Sequence, residues 1–440
     1  MGEEMKNTVA SSTLSLLGRI SLVLCIILPS IIFPSSARAQ QAAPPGQDDS
    51  NQQLLQRINE LEAKVKQLEE KQAAATAAAA PPAPATAAPA PEAPPPVEVP
   101  VVNEVAPRLK LNVFGDVGAS WYNHVPSSFE FGSLDLFMTA RLSDKVSALG
   151  EALFIAESGN DVSVDVERLL LRYRQSDYFM ASIGRMHTWV GYYNTAFNKG
   201  EFLETTVDRP FIYAFDDEGG VLPMQDVGVN VTGKIPSGKL GLNYVVEVGN
   251  GRAWGGPNVE PTQNYQDANN SKTINGGLFI RPEKFSGLQI GFSLLHDNLS
   301  LPGPPAVAET IATVHAVYTN SKYEILNEGV LVRNAETGGP IFHTGAFYSQ
   351  FSRAFHAFRP YFRYQYFNAN SNDPVYALAT SPNAYVPLNV TTFVGRLNGP
   401  SAGVRWDFTE HSAVKLQYDR YSFRGLATEN GLTSQFAFTF

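Results

Sequence analysis

The sequence ends in the nine residues Leu432-Thr433-Ser434-Gln435-Phe436-Ala437-Phe438-Thr439-Phe440. Phenylalanine occupies every second position from residue 436 onward, and small or polar residues lie between the rings. Successive side chains of a β-strand point to opposite faces. The alternation therefore predicts a strand with one aromatic face and one polar face.

Two preceding segments, residues 403–408 and 413–419, alternate in the same way. One face carries Val404, Trp406, Phe408, Val414, Leu416 and Tyr418, and the other carries Arg405, Asp407, Lys415, Gln417 and Asp419. The inner face of a soluble β-sandwich consists mostly of Val, Ile and Leu. A barrel in lipid instead turns apolar and aromatic side chains outward and charged side chains into a wet lumen. We therefore predict an all-β fold, a transmembrane antiparallel β-barrel.

Short and long connections alternate along the chain from Arg108 onward. Short turns are predicted at residues 143–145, 175–177, 236–238, 283–286, 320–321, 353–356 and 409–412, and longer loops at 187–225, 251–272, 299–308 and 370–397. When the first strand rises from the periplasm, every short turn lies on the periplasmic side and every long loop outside. This pattern predicts about sixteen strands, although counts of about fourteen or eighteen also fit.

The first 39 residues have the features of a secretory signal peptide. Basic residues Lys6 and Arg19 precede an apolar run, and Ala37-Arg38-Ala39 forms the predicted cleavage site. The only cysteine, Cys25, lies inside this leader, so we expect no disulfide and no cysteine-bound metal in the mature chain. The net charge of −9 argues against nucleic acid as a partner.

Residues 40–72 and 73–107 form two segments between the leader and the barrel, which occupies residues 108–440. In the first, apolar residues recur at heptad spacing, which predicts a short coiled coil; one solvated amphipathic helix is the alternative. The repeating residues are Leu54, Ile58, Leu61, Val65 and Leu68. The second segment is rich in alanine and proline, and this composition is typical of a semi-rigid linker.

These features together resemble the outer-membrane porins of the phosphate-selective porin (O/P) family. The resemblance rests on the order of leader, coiled coil, linker and strand-rich body, on the terminal Phe440, and on four local motifs. These are Ile183-Gly184-Arg185, Gly191-Tyr192-Tyr193-Asn194, Asp208-Arg209-Pro210 and Gly249-Asn250-Gly251-Arg252. The resemblance implies a homotrimer in outer-membrane lipid of a Gram-negative bacterium, with the N-terminal arm in the periplasm. It also implies that Phe438 and Phe440 belong to an assembly signal, and that the barrel is a passive channel for small hydrophilic solutes or ions.

The loop at residues 187–225 is far longer than an ordinary hairpin connection and is rich in aromatic residues, so we expect it to be ordered. In porins of this architecture the third external loop folds inward and narrows the pore. The resemblance therefore implies a constriction here, with a lid on the outer rim as the alternative. Its charged residues are Glu201, Glu204, Asp208, Arg209, Asp216, Asp217 and Glu218. Phosphate porins carry lysines and arginines at this place, so the acidic loop argues against phosphate selectivity.

Charged residues on the predicted inward faces form a candidate pore wall: Arg141, Arg168, Arg172, Arg174, Glu247, Arg363, Arg405, Asp407 and Lys415. A bulge near Glu167 is expected to turn the arginines of its strand inward. Loop acids that oppose wall arginines across the narrowest section would create a transverse field with weak selection by net charge.

Enzymatic and metal-binding functions have little support in the sequence. The histidines His187, His296, His315, His343, His356 and His411 are scattered without ligand spacing, so we expect no metal and no cofactor. No nucleophile elbow or phosphate-binding loop occurs in a strand–turn–helix context. Two alternatives to a channel stay open. One is a structural anchor that tethers the membrane to the cell wall through the coiled coil, and the other is a barrel esterase.

Overall fold

The computed structural model describes residues 108–123, 126–156, 162–197, 201–214, 221–252, 267, 269–300, 305–377, 395–424 and 427–440. Within them, sixteen antiparallel strands pair in chain order and close into a barrel. The predicted fold class and the count of sixteen strands are confirmed. The predicted signal peptide, coiled coil and linker lie outside the described residues.

The strands run nearly the whole length of the described chain. They are β1 (Arg108–Tyr122), β2 (Ser128–Arg141), β3 (Val146–Ala156), β4 (Val162–Ser176), β5 (Phe179–His187), β6 (Gln225–Lys234), β7 (Leu242–Gly249) and β8 (Thr273–Ile280). The second half comprises β9 (Leu288–Leu299), β10 (Val307–Thr319), β11 (Tyr323–Glu336), β12 (Ile341–Arg353), β13 (Phe358–Asn368), β14 (Arg396–Thr409), β15 (Ser412–Phe423) and β16 (Glu429–Thr439). Two four-residue helices, α1 (Tyr193–Ala196) and α2 (Pro374–Ala377), and short 3-10 turns at Glu201–Leu203, Phe211–Tyr213 and Gly238–Leu240 lie in the connections.

Connections of two to seven residues join the strands at the end of the barrel where β1 begins, here called the short-turn end. They fall at residues 142–145, 177–178, 235–241, 281–287, 320–322, 354–357 and 410–411, within a few residues of every predicted short turn. The connections at the opposite end include the long segments 188–224, 250–272 and 369–395. No helix among the described residues is long and apolar enough to cross a membrane.

The burial pattern is the inverse of that of a soluble protein. Large apolar side chains are exposed on the outer face, as with Leu331 at 69% and Val314 at 61%, whereas polar side chains such as Lys415 are fully buried inside. A row of rings crosses the outer face near the short-turn end, with successive centroids 5.5–6.4 Å apart. Its members are Phe358, Trp406, Phe408, Phe436, Phe438 and Phe440. This arrangement is typical of the aromatic girdle of a membrane barrel.

The last strand closes the barrel against the first. Phe440 and Val113 exchange two backbone hydrogen bonds, of 2.9 and 3.0 Å. The Phe438 ring lies over Gly115, where an added Cβ would come within 2.8 Å of the ring. Phe438 therefore packs across the seam between β16 and β1.

The predicted bulge is present in β4. The pairing with β3 shifts register between Glu151 and Leu153, which places the extra residue beside Glu167. Val166 is exposed on the outer face, whereas Glu167 and Arg168 are both buried. Two consecutive side chains thus point into the barrel, and Arg168 forms an ion pair with Glu151 there.

Candidate functional site

The connection between β5 and β6, residues 188–224, is here called the inserted loop because its described parts lie inside the barrel. The backbone N–H of Trp189 donates to Glu247 on β7 (2.9 Å), and that of Phe211 donates to Gln365 on β13 (2.7 Å). The N–H of Val207 donates to Gln417 on β15 (3.1 Å). These wall residues face inward on widely separated strands, so the loop crosses the lumen.

Glu328 of β11 is the most heavily used anchor for the first part of the loop. Its carboxylate accepts backbone N–H groups from Tyr192 (2.6 Å) and Tyr193 (3.1 Å), as well as the Tyr213 hydroxyl (2.6 Å). The Tyr348 hydroxyl of the neighbouring strand also donates to it, at 2.6 Å. Hydrogen bonds to an ionised acceptor are about twice as strong as neutral ones. One buried side chain therefore fixes the start of helix α1 against the wall.

Gly191 allows this close approach. Its φ of +80° belongs to the left-handed region, and an added Cβ would lie 2.7 Å from Glu328 Oε2 and closer still to the Tyr213 hydroxyl. The backbone conformation and the close packing therefore require a glycine at the start of the motif Gly191-Tyr192-Tyr193-Asn194. Its Asn194 amide nitrogen donates to the carbonyls of Thr188 (3.0 Å) and Met224 (2.8 Å), which joins the two ends of the loop.

The loop packs an apolar cluster against one side of the lumen, here called the packed side. The loop contributes Val190, Tyr193, Phe211, Ile212, Tyr213, Ala214, Val221, Leu222 and Met224. The wall and α2 contribute Leu295, Leu299, Val307, Ile311, Val317, Leu326, Val330, Val332, Ala346, Tyr348, Phe367, Ala369, Val375, Tyr376, Leu397, Tyr421 and Phe423. These side chains are buried in close contact, so apolar packing holds the loop against this side of the wall.

The sequence prediction missed this cluster, although a signal existed. Strands β9 to β11 carry apolar residues on both faces, as with the inward Val330 beside the outward Leu331. A strand that is apolar at consecutive positions is typical of burial on both sides. Here lipid covers one side and the inserted loop covers the other.

The later part of the loop lies against charged wall residues, on what is here called the polar side. Arg363 forms an ion pair with the Asp208 carboxylate, and its Nη1 donates to the Asp208 carbonyl (2.8 Å). Lys415 Nζ donates to the carbonyls of Thr206 (2.7 Å) and Glu201. Arg405 Nη1 donates to the carbonyls of Phe202 (2.6 Å) and Glu204 (2.7 Å).

Three cations predicted for the pore wall therefore bind the loop directly. Asp208 and Arg363 are in contact and do not face each other across an open gap. Asp407 pairs with Arg405 at 2.7 Å, within the wall itself. Glu247, also predicted for the wall, is buried and accepts from Asn275 (2.6 Å) in addition to the loop.

The remaining residues of the predicted constriction have different surroundings. Glu204 is buried, and this burial raises its pKa to about 7, although Arg209 and Lys415 nearby oppose the shift. The Arg209 guanidinium lies over the Tyr193 ring, with 5.6 Å between its Cζ and the ring centroid. Glu201 accepts from the Ser133 hydroxyl of β2 at 3.2 Å. Asp216, Asp217 and Glu218 lie outside the described residues.

A second group of basic residues lies on β4 and β5. Arg172 Nε is 3.4 Å from the Ser182 hydroxyl, and Arg185 lies 3.5 Å from Asp165. The sequence prediction did not include Arg185 among the wall residues. Arg185 follows Gly184, whose φ of +131° disfavours any residue with a side chain, and an added Cβ there would collide with the backbone of the neighbouring strand. The motif Ile183-Gly184-Arg185 therefore marks a local kink in β5 that turns Arg185 inward.

Arg141 and Arg174, also predicted for the wall, lie at the short-turn end. Arg141 pairs with Asp144 (2.8 Å) and Arg174 with Asp177 (2.6 Å), both in turns. Lys234 also pairs with Asp177, at 2.9 Å, and hydrogen bonds from Lys234 and Arg174 lower the pKa of that carboxyl. Both arginines are mostly exposed there, at the rim of the barrel.

The motif that ends in Arg252 also lies in the lumen. Arg252 Nη2 donates to both oxygens of Glu309, each at 2.8 Å, and its backbone N–H donates to Asp297 (3.1 Å). Among the described residues, no three His, Cys, Asp or Glu side chains are grouped so that they could hold a metal ion.

No family model matches the chain, and no curated protein matches it. Solved structures of outer-membrane porins do. The anion-selective porin from Comamonas acidovorans is 11% identical, with a TM-score of 0.51 over 76% of this chain and all of that one. OmpF of Salmonella typhi, solved with daunomycin, is 12% identical, with a TM-score of 0.50 over 76% of this chain and 97% of that one. The chain has the porin fold. The outer-membrane channel DcaP of Acinetobacter baumannii is also similar, at 9% identity and a TM-score of 0.48 over 77% of this chain and 99% of that one.

Proposed function

We propose that the protein is an outer-membrane porin, a passive diffusion channel for small hydrophilic solutes or ions whose lumen is narrowed by the inserted loop. The observation that carries this proposal is the set of hydrogen bonds from the loop to inward-facing side chains on β7, β11, β13, β14 and β15. A loop held at this depth divides the lumen into a packed side and a polar side. The solute path then follows the polar side.

Acidic side chains outnumber basic ones among the buried residues of the described lumen, and this excess favours cations over anions in this proposal; Glu204 contributes least, because burial raises its pKa to about 7. Buried acidic residues are Asp116, Asp135, Glu151, Glu167, Glu204, Asp226, Glu247, Asp297, Glu309, Glu324, Glu328, Asp373, Asp419 and Glu429. Buried basic residues are fewer: Arg168, Arg185, Arg209, Arg252, Arg363 and Lys415. Rings of acidic side chains attract cations, and ion pairing with the loop weakens that attraction. Phosphate selectivity is therefore not part of the proposal.

The proposed functional unit is a homotrimer in the outer membrane of a Gram-negative bacterium, with residues 40–107 in the periplasm. The resemblance of the whole chain to trimeric porins with a periplasmic arm supports this. The packing of Phe438 over Gly115 supports a role for the terminal strand in assembly, because the contact forms only when β16 meets β1.

Planar-bilayer recording on the purified protein tests the channel. We expect stepwise conductance increases in salt solution, and no steps from a heat-denatured sample. Recordings should be combined with a gel assay of the folded barrel, so that a lack of conductance is not confused with unfolded protein. A folded barrel without conductance would contradict the proposal.

A second candidate, a structural anchor with a closed lumen, is favoured by one observation. The apolar cluster of the packed side fills much of the space between β9 and β13. Under this alternative, the folded barrel does not conduct, and deletion of residues 51–100 weakens attachment of the membrane to the cell wall. The two functions therefore predict opposite results in the bilayer experiment.

A further inference from the structure

A cavity of about 580 Å³ lies between the start of the inserted loop and the inner wall formed by β8, β9 and β10. It reaches the short-turn end, since residues of the 281–287 turn also line it. Pockets that bind small organic molecules have volumes of roughly 300–1,000 Å³. The size of the cavity therefore suits one small solute.

Two inward-facing glycines leave this part of the inner wall without side chains. Gly277 and Gly291 are at inward-facing positions, since the residues two places away from each of them on its strand point into the lumen. An added Cβ at Gly291 would lie 2.6 Å from the His315 ring and 2.6 Å from the Phe279 Cβ. A side chain at either glycine would displace these rings or occupy the cavity, so the sequence itself leaves this space.

Aromatic rings line the cavity. Trp189 of the loop stacks on Phe279 of β8, with centroids 6.1 Å apart and planes 11° apart. Tyr192 of the loop lies beside His315 of β10, with centroids 5.7 Å apart. The faces of such rings pack well against other rings, including the C–H face of a sugar.

Three polar side chains on the wall of the same cavity are linked by hydrogen bonds. Arg281 Nε donates to Gln289 Oε1 at 2.8 Å, which fixes the orientation of the amide. Gln289 Nε2 lies 3.0 Å from His315 Nε2. Because the amide nitrogen can only donate, His315 Nε2 is the acceptor, and the proton of the neutral ring is on Nδ1.

Arg281 supplies hydrogen-bond donors on this wall of the cavity. The bond to Gln289 is the only hydrogen bond of its guanidinium to the described part of the chain, and the side chain is exposed. Its other N–H groups can therefore donate to a ligand in the cavity. The Nδ1 atom of His315 is closed off from the cavity and does not reach a ligand there.

We infer that this cavity binds a small neutral saccharide. One face of the sugar ring packs on Trp189 or Tyr192, and its hydroxyl oxygens accept hydrogen bonds from Arg281. The lining contains one cation and one acid, Arg281 and Glu283, so it offers no net charge to an anion. The inference rests on the proposed function, because the solute reaches the cavity through the lumen.

Calorimetric titration of the purified protein in detergent tests the inference without requiring conductance. The probes are glucose, maltose and sucrose. We expect at least one to bind, and we expect Trp189→Ala and Arg281→Gln each to weaken that binding at least tenfold. Arg281→Gln removes the guanidinium donors and keeps a polar side chain. Trp406→Leu, which removes a tryptophan from the outer face, is the matched control and should bind as the parent does.

The inference is overturned if none of the three sugars binds, or if the two cavity variants bind as tightly as the parent. Binding of benzoate in place of the sugars would also overturn it, since the ligand would then be an anion. Should Trp189→Ala fail to fold, Arg281→Gln and Gln289→Ala carry the test. A barrel that binds sugar at this cavity but does not conduct would disprove the proposed channel and leave the inference standing.

Discussion

The two sides of the lumen hold the inserted loop by different physical means. On the packed side, buried apolar side chains such as Ile212 and Leu326 exclude water from the contact. On the polar side, Arg363, Arg405 and Lys415 bind backbone carbonyls and one carboxylate of the loop. Apolar packing involves no charge, whereas Arg363 and Lys415 of the polar side are fully buried charges, which salt screens only weakly. One side therefore holds the loop by excluding water, and the other side holds it by charge-assisted hydrogen bonds.

The largest expected effect is that of Phe438→Asp, which tests whether Phe438 lies on the face of the barrel that meets lipid. The change places a charge on the lipid face and removes a ring from the seam between β16 and β1. We expect the yield of assembled protein in the outer membrane to fall several-fold. Thr439→Asp, at the adjacent inward position, is the matched control. Equal yields of the two variants would contradict the lipid-facing assignment.

The packed side should depend strongly on Phe211. Truncation of a buried phenylalanine to alanine typically costs about 3–5 kcal/mol. In Phe211→Ala we expect the loop to leave the wall, with higher single-channel conductance and faster cleavage of the loop by protease. Leu203→Ala changes an exposed residue of the same loop, 46% accessible, and should leave both measurements unchanged. Parent-like conductance in Phe211→Ala would show that the cluster does not hold the loop.

The ion pair of the polar side should control ion selection. Asp208→Asn leaves a net positive charge at this point and should move the reversal potential towards anion selectivity, whereas Arg363→Gln should move it towards cation selectivity. Conductance should stay within the same order. Both shifts should shrink at 1 M salt, where the screening length is about 3 Å.

The double variant Asp208→Asn/Arg363→Gln is the control for this pair. It should return close to the parent reversal potential, because both charges are removed together. If neither single variant shifts the potential at low salt, the ion pair does not lie beside the ion path.

Glu204 should make the seating of the loop depend on pH. Its pKa is raised from 4.5 to about 7 by burial, so the seated loop holds a proton that the released loop would lose. Seating is therefore strongest below pH 4.5 and weakens as pH rises through about 7, by roughly 3 kcal/mol at most. Protease sensitivity of the loop should increase over this range.

Glu204→Gln should flatten this pH dependence, since the amide does not titrate. Glu410→Gln changes an exposed acid in the turn between β14 and β15 and should keep the parent profile. An identical profile in Glu204→Gln and the parent would assign the pH dependence to another group.

Removal of the N-terminal arm should have the smallest effect. Deletion of residues 51–100 should leave the oligomer intact on native gels and leave conductance unchanged. The physical reason is that a seam of about three heptads on a semi-rigid linker adds little to association compared with contacts between barrel walls. A monomer after the deletion would show that the coiled coil holds the subunits together.

The barrel could be predicted from the sequence because its signal is local. Alternation such as that of Phe436, Phe438 and Phe440 defines a strand and its lipid face within a few residues, and the spacing of the turns then counts the strands. The bulge at Glu167 could also be predicted, because the alternation of apolar and polar residues changes phase there. Each of these features depends only on residues near one another in the chain.

The contacts of the inserted loop could not be predicted in this way. Asp208 and Arg363 are 155 positions apart, and no pattern near either one specifies the partner. Glu328 was not singled out because an acid on an inward face is common in such barrels, and only the folded loop brings three further donors to it beside the Tyr348 hydroxyl. The hollow beside Gly277 and Gly291 likewise depends on which residues of three strands come into register.

The backbone bonds between Phe440 and Val113 also constrain how the protein can be made. β1 is paired on one side by β16, so the sheet cannot close until β16 has been delivered. During export the chain must therefore exist with two open sheet edges, which are sites of aggregation in water. A fusion tag added after Phe440 would begin at this junction. An export chaperone or a lipid surface has to protect the edges until they meet.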